Sequence, residues 1–222
     1  MHSEIVNFSE AEEVWQPDYS DFHADHSKGD KDVVPEDAFR IRSIFKYVKF
    51  LKQKEYFVNK HPISSVRILY IREIFPDCKF LHIYRDGRAV VASQMNCMED
   101  GRHKNPLHKF IKPKDWRELL TYPHHIQSAY AWKQVLSEIE TSFKSLNNDD
   151  YYEVSYESFC EKPRSILNEI DKFCGFKHGN RLADKIPERL SYNNSKWLSY
   201  FEVNEREDIV KIINSKLKQY GY

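Results

Sequence analysis

Apolar positions along the chain change period repeatedly, from helical to strand-like and back. Between Ala38 and Lys52, Ile41, Ile44, Phe45, Val48 and Leu51 recur at helical spacing while Arg40, Lys46 and Lys49 fall largely off that stripe. This predicts a helix that covers a core. Glu55 to Lys60 reads as a short strand stopped by His61-Pro62, which puts Lys60 at its carboxyl end. Ile63 to Phe75 returns to the helical period through Val66, Tyr70, Ile71 and Ile74, and Pro76-Asp77 ends it. Lys79 to Tyr84 is a second apolar run of strand length, Asp86-Gly87 supplies a turn, and Arg88 to Gln94 reads as a helix. Strand, helix and strand make a parallel, right-handed βαβ unit, so Lys60 and Arg85 are expected as neighbours at one sheet edge.

The alternation continues downstream. A long amphipathic helix is predicted from Ile126 to Phe143, a strand from Tyr151 to Tyr156, and a helix from Pro163 to Phe173 ended by Gly175, with Glu157 favourable beside a helix start. Asn204 and Glu207 form a plausible capping box for a closing helix marked by Ile209, Ile212, Ile213, Leu217 and Tyr220. Upstream, His2 to Pro17 shows neither a strand nor a glycine-rich loop, and residues 18–37 read as a polar loop. Its His23 and His26, like the later His124-His125, match no metal-ligand spacing, so no metal is expected. Residues 99–123 are polar and irregular, with basic positions from Arg102 to Lys114 that suit either an acceptor loop or plain surface.

Composition narrows what such a chain can do. A length of 222 residues suits a single α/β domain, spanning 1–222. Lys and Arg total 34 against 34 Asp and Glu, which argues against a sequence-independent nucleic-acid binder, so any cationic site must be local. No apolar run reaches membrane-spanning length. The cysteines Cys78, Cys97, Cys160 and Cys174 form no CxxC pair, which favours a reducing compartment. The distinctive chemistry lies between Phe75 and Ser93: a helix N-terminus opens at the carboxyl end of a strand, a place suited to an anion, with Arg85 at the seam.

Four stretches carry a resemblance: Lys60-His61-Pro62; Phe75 through Ser93; Tyr151 to Tyr156 followed by Glu157 and Lys162-Pro163; and the Trp197 region leading to Gly221-Tyr222. Together they resemble the sulfotransferases that use 3′-phosphoadenosine 5′-phosphosulfate, particularly the carbohydrate and tyrosylprotein branches and bacterial relatives. The resemblance implies an α/β fold with a three-layer, P-loop-NTPase-like parallel sheet flanked by helices. It also implies that Arg85 and Ser93 hold the 3′-phosphate, that Lys60 stands near the transferred sulfuryl group, and that Ser195, Lys196 and Trp197 close over the nucleotide. Glu10, with Glu12 or Glu13 behind it, matches the family's place for the carboxylate that takes the acceptor's proton.

One departure accompanies these matches. The family fold begins with a central strand and a phosphosulfate loop of the Arg-Ser-Gly-Thr-Thr kind, and the sequence is read as beginning after both, as a fragment. The expected reaction is in-line sulfuryl transfer to a hydroxyl or amine of a carbohydrate, protein or small molecule, dominated by positioning and charge stabilisation. The alternative is a non-catalytic relative that keeps the fold as a binding surface, or an inactive fragment. A nucleotide kinase fits less well, for no magnesium-holding acid is evident. A cytoplasmic location is expected, or the Golgi lumen if an anchor lies upstream.

Overall fold

The computed structural model describes residues 4–9, 12–15, 24–99, 111–176 and 183–222. Its strands are β1 (Ile5–Ser9), β2 (Tyr56–Lys60), β3 (Phe80–Tyr84) and β4 (Tyr151–Ser155). The helices are α1 (Glu12–Trp15), α2 (Pro35–Leu51), α3 (Ile68–Ile74), α4 (Gly87–Glu99) and α5 (His124–Phe143). They continue with α6 (Tyr156–Glu161), α7 (Pro163–Cys174), α8 (Trp197–Tyr200) and α9 (Val203–Gln219).

Two sequence expectations are corrected here. The segment before Trp15 does contain a strand: β1 pairs in parallel with β2, from Ile5 opposite Tyr56 to Ser9 opposite Lys60. It has no clean alternation, since Ile5 and Val6 are adjacent and polar Asn7 separates them from Phe8, so long-range pairing rather than local pattern makes it a strand. Nor is there one continuous sheet among the described residues. β3 pairs in parallel with β4, from Phe80 opposite Tyr151 to Tyr84 opposite Ser155, and the β1–β2 and β3–β4 ladders are separate. β2 and β3 are therefore not ladder neighbours. The crossover rule fixes the hand of a connection between strands of one sheet; adjacency of successive strands is only a tendency.

Isolated two-stranded sheets are marginal in water, so helices must supply most of the burial. The inner face of α2 buries Ile41 and Phe45 completely against Trp15, Tyr70 and Ile74, and the Phe45 ring stacks on Phe57 of β2 at 4.5 Å between centroids. On β3–β4 the same service comes from α5, whose Phe143 stacks on Tyr151 at 4.1 Å. Val91 of α4, Ala129 of α5, and Ile209 and Ile213 of α9 are each fully buried in a third cluster. Each such Ile, Val or Phe is worth roughly 1.5–3 kcal/mol of burial. This cluster fixes α4, and with it the strand-to-helix seam after Tyr84.

Local signals set the ends of these helices. Pro35 starts α2 and Gly175, at φ +72°, ends α7. The capping box of α9 falls two residues earlier than the spacing predicts, with Glu202 and Glu205 in place of Asn204 and Glu207; the Glu202 amide donates to Glu205 Oε2 at 3.0 Å. Ile63 to Phe75 divides into a 3₁₀ turn, Pro62–Val66, and the shorter α3. Gly87 opens α4 because a Cβ there would stand 2.8 Å from the Trp132 ring of α5. Among the described residues no helix is long and apolar enough to cross a membrane.

Candidate active site

Parallel pairing of β3 with β4 brings their carboxyl ends side by side. Tyr84 lies opposite Ser155, so Arg85 and Asp86 leave the sheet beside Tyr156 and Glu157. The Arg85 guanidinium sits 4.7 Å from the Tyr156 ring centroid, its Nε donates to Asn194 Oδ1 at 3.1 Å, and its Nη2 donates to the Asn193 carbonyl at 3.3 Å. Those three partners are neutral, so they orient the fork without cancelling its charge.

Glu157 lies beneath this arrangement as a shared acceptor. Its Oε1 takes the Asp86 amide at 3.2 Å and the Asn194 side-chain amide, and its Oε2 takes the Tyr222 hydroxyl at 2.5 Å. Burial first, then the hydrogen bond to Glu157, pushes the Tyr222 phenol well above its ordinary range, so it stays protonated and donating. The residue that holds Arg85 is thus tied to the end of β3, the start of α6 and the tail of the chain.

The start of α4 is partly satisfied from within. Asp86, 4% exposed, accepts the Arg88 amide at 2.9 Å and grips the Arg88 guanidinium through Nε at 3.0 Å and Nη2 at 2.8 Å. At least one N-terminal amide of α4 is therefore engaged by the chain's own carboxylate. Arg88 also lies 5.1 Å from the Trp197 ring.

The candidate residues distribute unevenly. Arg85 meets the segment ahead of Trp197 through Asn193 and Asn194 rather than through Ser195 or Lys196. Ser195 turns back on the Asn193 side chain, with its amide and hydroxyl donating to Oδ1 at 3.0 and 2.9 Å. Lys196 is exposed at the start of α8, and Trp197 is half-buried beneath Arg88. Ser93 is exposed on α4, about 9 Å along the axis from Gly87. Lys60 is exposed at the carboxyl end of β2, beside Asn59, whose Oδ1 accepts the Trp15 indole N–H at 3.2 Å. Among the described residues no ladder joins the strand of Lys60 to that of Arg85, so the expected shared edge is corrected to two separate strand ends. Glu10 lies outside the described residues. Among the described residues no group of three or more His, Cys, Asp or Glu side chains is placed to hold a metal ion.

Sequence reasoning missed Asn193, Asn194 and Tyr222 as parts of this site. Nothing local distinguishes two asparagines in an irregular segment. For Glu157 a signal was present: once β3 and β4 are taken as parallel neighbours, residues two past each strand end must lie side by side.

Known proteins can be set beside this geometry. The chain is 21% identical over 190 residues to the omega-hydroxy-beta-dihydromenaquinone-9 sulfotransferases of Mycobacterium tuberculosis and Mycobacterium bovis, matching 82% of this chain and 45% of theirs. It thus spans about half the length of the curated relatives it matches. Sulfotransferase STF9 from Mycobacterium avium superposes with a TM-score of 0.58 at 13% identity, over 93% of this chain and 50% of that one. The sulfotransferase domain of the Synechococcus PCC 7002 olefin synthase gives 0.52 at 19% identity, over 82% and 64%. The sulfotransferase domain from the curacin biosynthetic pathway gives 0.51 at 11% identity, over 78% and 68%. Identities this low speak to fold alone, and they agree with an α/β arrangement of small parallel sheets among helices. Residues 6–179 match the profile described as the sulfotransferase family, and with most of its length inside that match this chain belongs to the family.

Proposed function

We propose that the protein transfers a sulfuryl group from 3′-phosphoadenosine 5′-phosphosulfate to a hydroxyl of a small-molecule or lipid acceptor. The observation that carries this reading is Arg85: a guanidinium at a strand's carboxyl end, oriented by an amide, a carbonyl and an aromatic ring, and so retaining its charge for a bound anion. A planar fork suits a terminal phosphate. Relatives named for a hydroxylated menaquinone support that acceptor class.

In this reading the acceptor oxygen attacks sulfur in line and the new O–S bond forms as the bond from sulfur to the leaving phosphate oxygen breaks. Glu10 receives the acceptor's proton, and Lys60 meets the charge that develops on the leaving oxygen. Arg85 grips the 3′-phosphate, with Ser93 as a neutral donor, and the segment containing Ser195, Lys196 and Trp197 closes over the nucleotide. Calorimetry with 3′-phosphoadenosine 5′-phosphate tests the assignment. Arg85→Ala in the full-length protein should weaken binding roughly 10- to 100-fold, the loss expected for hydrogen bonds to a charged group. Unchanged affinity would overturn it.

A further inference from the structure

The outer face of α2 does not belong to the donor site, and it has the wrong composition for a solvated helix surface. While Ile41 and Phe45 point into the core, Phe39, Tyr47 and Phe50 lie on the opposite face, 71%, 62% and 77% exposed, and Leu51 beside them is 57% exposed. At 100° per residue, positions 39, 43, 47 and 50 form one stripe, so three aromatic rings and Ser43 share a single outward line. Isolated exposed apolar residues are ordinary, whereas an aligned set of large ones marks an interaction surface.

Charge identifies the partner. From Phe39 to Lys54 the chain carries six basic residues, Arg40, Arg42, Lys46, Lys49, Lys52 and Lys54, and no Asp or Glu, although the whole chain balances 34 against 34. The nearest acids on the helix, Glu36 and Asp37, stand in its first turn, and Asp37 is paired with Arg40 at 3.5 Å. Lys46, Lys49 and Lys52 fall in and just after its last turns, among Tyr47, Phe50 and Leu51, and the next acid along the chain is Glu55. A second copy of this chain docking through residues 39–54 would set one acid-free cationic stretch against another, which disfavours self-association through this patch. A surface that is both apolar at shallow depth and negatively charged satisfies both features at once.

We infer that the outer face of α2 docks the protein on an anionic lipid bilayer, with Phe39, Tyr47, Phe50 and Leu51 entering the headgroup and acyl boundary and the lysines meeting lipid phosphates. The helix lies in the plane of the interface and does not cross it. This rests on α2 alone and is independent of the reading of Arg85.

Flotation of the purified protein with vesicles tests it, using phosphatidylcholine alone and phosphatidylcholine mixed with phosphatidylglycerol. Binding is expected to the mixed vesicles, to weaken in high salt, and to be slight on phosphatidylcholine. Replacing Phe39, Tyr47 and Phe50 together by Ser should lower partitioning at least about 10-fold, from the apolar area withdrawn. Replacing Lys46, Lys49 and Lys52 together by Gln should lower it roughly 100-fold, near fivefold per lysine. All of these side chains but the half-buried Lys49 are exposed, so the thermal unfolding midpoint should stay near the parent value, and the Gln set serves as the test should the Ser set misfold. Absence of binding to the mixed vesicles, or equal binding by parent and variants, would overturn the proposal. So would a dimer in solution that the Ser substitutions dissociate.

Discussion

His26 is packed among cations. Its Nδ1 accepts the Lys112 amide at 3.0 Å, so the neutral ring is the form the structure uses. Burial, then the charges of Lys112, Arg67 and His61, pushes its pKa from 6.5 down to about 4. Because the folded value lies below the unfolded one, the stabilisation is complete above pH 6.5 and is lost as pH falls towards 4. After allowance for solvent screening the loss is on the order of 1–2 kcal/mol. Urea titrations at pH 7 and pH 5 should show this drop, and it should shrink in His26→Gln; equal stability of the parent at both values would refute it. Cys78 behaves differently. Burial raises its thiol to about 11, against the lowering influence of Arg72. Its alkylation by a thiolate-selective reagent should be slow at neutral pH and accelerate only when the fold is opened.

At the level of elements, α4 depends on one missing methyl. A Cβ at Gly87 would meet the Trp132 ring at 2.8 Å, and the ring belongs to the interior between α4 and α5. Gly87→Ala should cost about 1–3 kcal/mol and displace the seam that carries Arg85, so nucleotide affinity falls along with the unfolding midpoint. A variant as stable and as tight as its parent would show that the seam tolerates the shift. The elements also explain what was legible in the amino-acid order. α2, α5 and α9 each bury an apolar stripe against a core, and that stripe writes their period into the chain. β1 leaves no such trace because its five residues are a strand only through β2. Arg85 was recognisable from the strand and turn around it, whereas Asn194 reaches it across 109 positions from an irregular segment. Contacts of that range follow from pairing and tail placement, which no local period encodes.

For the molecule as a whole, the packing makes stability and ligand affinity interdependent. Trp132 touches both the α4–α9 cluster and the one around Ile68, Leu136, Ile139 and Phe143. The helices that stabilise the chain therefore also hold the seam. Ligand at 100 times its dissociation constant adds about 2.7 kcal/mol to the folded state. In a chain this long that amounts to several degrees at the unfolding midpoint. Differential scanning fluorimetry with 3′-phosphoadenosine 5′-phosphate should show this rise for the parent and not for Arg85→Ala; an equal rise in both would place the nucleotide elsewhere. The phenol of Tyr222 contacts Glu157, and its ring lies 6.5 Å from that of Tyr84. Losing that hydroxyl, as in Tyr222→Phe, would thus remove a brace from beneath Asn194, which shares the Glu157 carboxylate. Nucleotide affinity measured on Tyr222→Phe should come out weaker than on the parent, without any change at Arg85 itself.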